Sequence, residues 1–166
     1  MTYRVYVSED VIGVEVAGAL KNVMALCSGC LSGLLPAGQC NPKMAMITRA
    51  LAEITRIGVK MGADPITFAG LSGVGDLFLT CTSEKSRNFR VGLMLSQGQS
   101  LDQIMESLGS VAEGVATAPA AYRLCQKLGV DAPIISSVYR VICENADLRQ
   151  EFHRITNREP KSEITH

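Results

Sequence analysis

From Val11 to Cys30 the chain reads VIGVEVAGALKNVMALCSGC, almost wholly apolar but interrupted by Glu15, Lys21 and Asn22. Apolar residues recur three or four apart at Ile12, Val16, Ala19, Val23, Leu26 and Cys30, the spacing of a helix with a buried face. Glu15 and Lys21 break the run as a membrane span, so it must find a protein core. Burying an unpaired ammonium is costly, so Lys21 needs a partner. A second stripe, Ala17, Gly18, Lys21, Ala25 and Ser28, surrounds that lysine with small side chains. Such a face leaves room for another chain or for a ligand.

The remaining periodicity is helical nearly throughout. Asn41-Pro42 opens a helix whose buried stripe is Met44, Ile47, Leu51, Ile54 and Met61, with Arg49–Glu53 and Glu53–Arg56 spaced as ion pairs on its outer side. Gly62 ends it. Asp64-Pro65 starts a short helix, Ser72–Gly75 reads as a turn, and Ser86 to Leu95 is a further helix stopped near Gly98. Ser100-x-x-Gln103 is a capping box before a helix closed by Gly109. Thr117, with Pro119 close behind, opens a helix to Gly129, Pro133 precedes one through Cys143, and the last spans about Leu148 to Ile155. The only strand signal, YRVYV near the start, is too short to make a sheet. The expected class is all-α: residues 1–8 an interdomain remnant, 9–157 one helical domain, 158–166 a frayed polar tail.

At 166 residues the chain is one domain that can bury about 70% of its unfolded surface without staples. Sixteen basic residues balance sixteen acidic ones, which argues against nucleic-acid binding. The N-terminus lacks the pattern of a signal peptide, and the six cysteines read as reduced thiols of a cytoplasmic protein.

Several motifs resolve into ordinary structure. Cys27-x-x-Cys30 lies inside a helix and lacks the further ligands that zinc needs. Gly73-Val74-Gly75 has Phe78 where a dinucleotide loop wants its third glycine, and no strand before it. No serine–histidine triad is plausible with two histidines so late in the chain. Ser86-Arg87-Asn88 opens a helix, where backbone N–H groups and a forked cation suit an anion; the plain reading is a capped helix with an exposed arginine. Asp76 sits among Leu77, Phe78 and Leu79 and wants a partner, as Lys21 does. Either Lys21 forms a structural ion pair with Glu15 or Asp76, or Lys21 and Asp76 share the edge of one cleft. A lysine held away from water is usable as an acid–base group.

Together, DVIGVEVAGALKNVMAL, the GDLFLTCT string, SRNFRVG and GSVAEGVAT resemble bacterial-type NAD(P)-dependent sn-glycerol-3-phosphate dehydrogenase, from about Tyr3 to about Arg149. The resemblance implies that family's C-terminal substrate domain, a multi-helix bundle similar to the C-terminal domain of 6-phosphogluconate dehydrogenase. It implies that Lys21 and Asp76 are catalytic and touch substrate, with Lys21 taking the proton of the C2 hydroxyl. It makes Ser86, Arg87 and Asn88 substrate-binding, and Arg87, Val111 and Glu113 contacts of NAD or NADP. Asn22 and Thr80 follow as supporting residues. The implied partners are sn-glycerol 3-phosphate and dihydroxyacetone phosphate. The family's N-terminal Rossmann domain would precede YRVYV, so this chain alone is expected to be inactive. Apolar surface left where that domain packs could form a homodimer. The loop GLLPAGQCNPKMAM and Cys27, Cys30 and Cys40 depart from the family. The competing expectation is a non-catalytic helical module, derived from that family, that binds or dimerises.

Overall fold

The computed structural model describes residues 4–36, 38–109 and 112–159. Eight α-helices occur among them: α1 Val11–Leu34, α2 Asn41–Lys60, α3 Asp76–Thr82, α4 Arg87–Ser96, α5 Leu101–Leu108, α6 Glu113–Leu128, α7 Pro133–Glu144 and α8 Leu148–Thr156. A 3-10 turn, Pro65–Ala69, and a π turn, Leu71–Gly75, lie between α2 and α3. No strand occurs among the described residues, and residues 4–7 of the YRVYV segment are irregular.

The opening apolar run is the axis of the bundle. α1 packs against α2, α3, α4, α6 and α7. From Val23 to Leu26 its side chains are at most 1% exposed. By length and composition α1 could cross a membrane, yet 56% of its most apolar window is already buried inside the fold. Most of that window is therefore core, while Val11 and Ile12 at its start stay exposed. The stripe of small residues is mostly core as well: Ala17, Ala25 and Ser28 are buried, and Ser28 Oγ donates to the Cys81 carbonyl at 2.7 Å. Only Gly18 faces open space, with no atom within 4 Å of where a Cβ would stand.

α1 and α4 cross at glycines. A Cβ on Gly29 would stand 2.0 Å from the Phe89 carbonyl oxygen, and one on Gly92 would stand 2.0 Å from that of Leu26. This approach of backbones brings the N-terminus of α4 down onto the middle of α1. The start of α1 is fixed by Asp10, whose Oδ1 accepts from Gly13 N at 2.9 Å. Its Oδ2 accepts from Asp64 N at 3.0 Å and Thr67 Oγ1 at 2.6 Å, which ties the 3-10 turn to α1.

Several local expectations change in the structure. Cys40, not Asn41, stands at the N-cap position of α2 and makes no side-chain cap bond, so Asn41 and Pro42 are its first residues. Ile47, Ile54 and Ile57 form its buried stripe, whereas Met61 is 40% exposed. Glu53 is not on the outer side: it is 1% exposed, and its carboxylate accepts from Ile134 N at 2.8 Å and Ile135 N at 3.3 Å. It caps α7 from a distance, because Ala132 offers that helix no side-chain cap. The Ser72–Gly75 turn is part of the π turn that leads into α3. α6 begins at Glu113, ahead of Thr117, and carries Pro119 within it. The Ser100–Gln103 capping box is present, with Gly109 and Gly129 left-handed at the ends of α5 and α6. Arg158, at the start of the expected tail, pairs with Asp131 at 2.8 Å; residues 160–166 lie outside the described residues.

Candidate active site

The polar residues that interrupt α1 organise the site. Lys21 Nζ forms a direct ion pair with Asp76 Oδ2, so the partner is Asp76 and not Glu15. Asp76 is the first residue of α3, directly after the π turn, which delivers its carboxylate to the side of α1. The pair is not fully withdrawn from water: the side chains are 23% and 36% exposed. Desolvation of Lys21 is thus partial, and the opposite charge of Asp76 is what accommodates it. Thr80 Oγ1, one turn along α3, donates to the Asp76 carbonyl at 2.6 Å and lies 3.3 Å from Oδ1.

Asn22 faces the other way, into the bundle, and is 9% exposed. Its Nδ2 donates to Glu113 Oε2 at 3.0 Å, and its Oδ1 accepts from Asn88 Nδ2 at 2.9 Å. Asn88 Oδ1 in turn accepts from Gly114 N at 2.9 Å. One amide chain therefore joins α1, α4 and the first turn of α6. Gly114 permits it, since a Cβ there would stand 2.5 Å from the Asn22 carbonyl oxygen. No buried side-chain polar atom among the described residues is left without a hydrogen bond, so the two amides are satisfied, while Glu113 at the end of the chain of bonds is exposed.

The triplet at the start of α4 splits into three roles. Ser86 caps the helix, its Oγ accepting from Phe89 N at 3.3 Å. Arg87 is exposed at the first helical position, where helix dipole and guanidinium both favour an anion. Asn88 is 7% exposed and spends its carbonyl and one amide hydrogen on neighbours. Val111 lies outside the described residues. Lys21, Asp76, Asn88 and Glu113 thus meet around two adjacent residues of α1, with Ser86 and Arg87 following from the chain next to Asn88. The network of Asn22 was legible only as an amide in an apolar helix; its partners lie 66 and 91 residues away.

An open groove of about 810 Å³ runs beside the first turns of α1, lined by Tyr6, Val7, Val11, Glu15, Leu71 and neighbours. Lys21 and Asp76 are not among its lining residues. Of its lining residues Val7, Val11 and Leu71 are exposed apolar side chains, and Ile66 and Leu79 are exposed as well. No cluster of metal-ligating side chains occurs among the described residues.

Comparison with known proteins supplies a family. The family model for the C-terminus of NAD-dependent glycerol-3-phosphate dehydrogenase matches residues 10–153. The chain is 53% identical over 161 residues to a glycerol-3-phosphate dehydrogenase [NAD(P)+] of Limosilactobacillus fermentum, covering 97% of this chain and 47% of that protein. It is 52% identical to that of Geobacter metallireducens, covering 97% of this chain and 48% of that one. Among solved structures, glycerol-3-phosphate dehydrogenase from Coxiella burnetii superposes with a TM-score of 0.88 at 36% identity, over 93% of this chain and 47% of that one. The yeast enzyme superposes with a TM-score of 0.78 at 30% identity, over 90% of this chain and 43% of that one. The chain thus spans about half the length of the relatives it matches, and it belongs to the family of C-terminal domains of NAD-dependent glycerol-3-phosphate dehydrogenase.

Proposed function

We propose that this chain is the substrate-binding and proton-handling half of a glycerol-3-phosphate dehydrogenase, interconverting dihydroxyacetone phosphate and sn-glycerol 3-phosphate. The observation that carries the reading is the Lys21–Asp76 pair, partly open to solvent, one residue away from the hydrogen-bonded Asn22–Asn88–Glu113 network. The first offers a proton at a cleft edge; the second holds the surrounding helices at fixed spacing.

In the reduction, Lys21 Nζ gives its proton to the C2 oxygen as that oxygen gains charge; in the oxidation it takes the proton of the C2 hydroxyl. Asp76 aims the amine and balances its charge, and Thr80 aims Asp76. Arg87, at the start of α4, receives the substrate phosphate, which the helix dipole also favours. Ser86 and Asn88 serve the phosphate site by fixing that helix start, Ser86 by capping it and Asn88 by tying it to α1 and α6. The open space beside Gly18 leaves room over Lys21 for the reacting carbon.

NAD or NADP, when bound, supplies or accepts the hydride. The described residues fit a rim contact with such a group and no more: Glu113 offers an oriented carboxylate and Arg87 a cation, while no glycine-rich strand–helix turn is present among them. The main nucleotide site belongs to a dinucleotide-binding half, which would cover the exposed apolar side chains between Val5 and Leu79.

Calorimetric titration with sn-glycerol 3-phosphate, beside Lys21→Ala and Arg87→Ala, tests the phosphate and amine contacts. Saturable binding that weakens in both variants is expected. Binding that both variants retain unchanged would refute the assignment of these residues.

A further inference from the structure

Between the 3-10 turn and α3 the chain makes one turn of π-helix, Leu71–Gly75. Its bonds run five residues back: Gly75 N donates to the Gly70 carbonyl at 3.3 Å, and Asp76 N donates to that of Leu71. At 3.6 residues per turn, one residue more rotates all that follows by about 100°. The turn therefore decides which way Asp76, the first residue of α3, presents its carboxylate.

Phe68, 1% exposed, is what the turn sits on. On one side its ring lies against α2, where a Cβ on Gly58 would stand 2.2 Å from Cζ. On the other side its backbone lies against the π turn: a Cβ on Gly73 would stand 2.0 Å from the Phe68 carbonyl oxygen and 2.4 Å from its Cα. Gly73 has no positive φ, so glycine is needed there for space and not for backbone conformation. The neighbour of Phe68 is held as well, since Thr67 Oγ1 donates to Asp10 Oδ2 at the start of α1 at 2.6 Å. Lys21 lies on that same helix. One helix thus carries the amine and, through Asp10, Thr67 and Phe68, the seat of the turn that brings Asp76 to it.

We propose that Gly73 and Thr67 are positioning residues for the reaction of Lys21: Gly73 seats the π turn on the Phe68 backbone, Thr67 ties that seat to α1, and Asp76 is thereby aimed at the amine. The consequence for catalysis rests on the role given to Lys21 and Asp76 above; the aiming of Asp76 does not. The 2.0 Å approach must open to 3.4 Å before a methyl on Gly73 fits, and a misplacement of about 1 Å is enough to cost about a hundredfold in rate.

The test reads the ion pair first, in the full chain and without substrate. The ammonium signal of Lys21 in proton–nitrogen NMR, assigned by its absence from Lys21→Ala, reports the amine held by Asp76. Gly73→Ala should lose this signal. Thr67→Val, a milder change that stands in should Gly73→Ala not fold, should shift or weaken it. Ile135→Ala, which truncates the core in α7, should lower the melting temperature and keep it. With the chain joined to the dinucleotide-binding half of a relative, Gly73→Ala should lose about a hundredfold in kcat with dihydroxyacetone phosphate and keep KM nearly unchanged, because Arg87 stands on another helix. An intact Lys21 signal in Gly73→Ala, or in Thr67→Val where that variant stands in, would overturn the aiming. So would its loss in Ile135→Ala too, which would make the signal a measure of stability alone. A lost signal with unchanged kcat would overturn the reaction given to the Lys21–Asp76 pair, and with it the positioning role.

Discussion

Glu53 gives the sharpest test of the packing. Burial pushes its carboxyl up to about 7 from the ordinary 4.5, although the two N–H groups of α7 pull the other way. With 1% of the residue exposed, solvent screens little of this. The folded chain therefore holds a proton on Glu53 between about pH 4.5 and 7 that the unfolded chain has lost. Stability is fully present below the lower value and falls as pH rises to the upper one, by about 3 kcal/mol, and is then level. Asp10 and Glu151, held below the usual carboxylate range by Thr67 and by Arg140, act in the opposite direction but only at lower pH. Glu53→Gln cannot ionise. It keeps an acceptor for Ile134 N but sets an amide against Ile135 N, a cost of about 1–3 kcal/mol at pH 5. Urea unfolding followed by far-UV circular dichroism at pH 5, 6, 7 and 8 reads both chains. The wild type should lose about 3 kcal/mol relative to Glu53→Gln across that range, so that the variant overtakes or equals it at pH 8. Parallel pH profiles for the two chains, or a wild type that gains on the variant as pH rises, would refute the reasoning.

Gly29→Ala and Gly92→Ala each drive a methyl into the opposing backbone, so each should cost about 2 kcal/mol or more in thermal melts; unchanged melts would mean that α1 and α4 do not cross there. Asn22→Ala removes bonds to both Asn88 and Glu113 and should cost about 2 kcal/mol in urea unfolding, and Asn88→Ala on top should cost about 1–3 kcal/mol more because it also strips the acceptor from the buried Gly114 N. Of the six thiols, the exposed Cys40 should react fastest with a maleimide at neutral pH and Cys143, exposed but raised by partial burial, more slowly, while the buried Cys30, Cys81 and Cys125, also raised by burial, should react only on unfolding.

What could be read in the sequence was whatever rests on local chemistry. The capping box at Ser100, the glycine ends of α5 and α6 and the helical period of α1 need only neighbours a few residues apart, and all three are in the structure. The start of α6 could not be read that way. Pro119 reads as a first-turn proline, yet the helix begins six residues earlier, where Gly114 fits against Asn22. Glu53 misled for the same reason: its spacing to Arg49 and Arg56 is that of a surface pair, and only the arrival of α7, some eighty residues on, makes it a buried cap. At the site, Lys21 and Asp76 each announced a need for a partner, because charges in apolar surroundings do. That they satisfy one another, and that Asn88 is turned inward, depends on how α3 and α4 lie across α1.

The central claim is that Lys21 handles the proton of a dehydrogenase reaction. The most direct measurement joins this chain to the dinucleotide-binding half of a relative and follows NADH oxidation with dihydroxyacetone phosphate, beside the same fusion carrying Lys21→Ala. The account predicts an active fusion and a variant that keeps its fold and loses about a hundredfold or more in kcat. A folded fusion without activity, or a Lys21→Ala fusion as active as its parent, would contradict it.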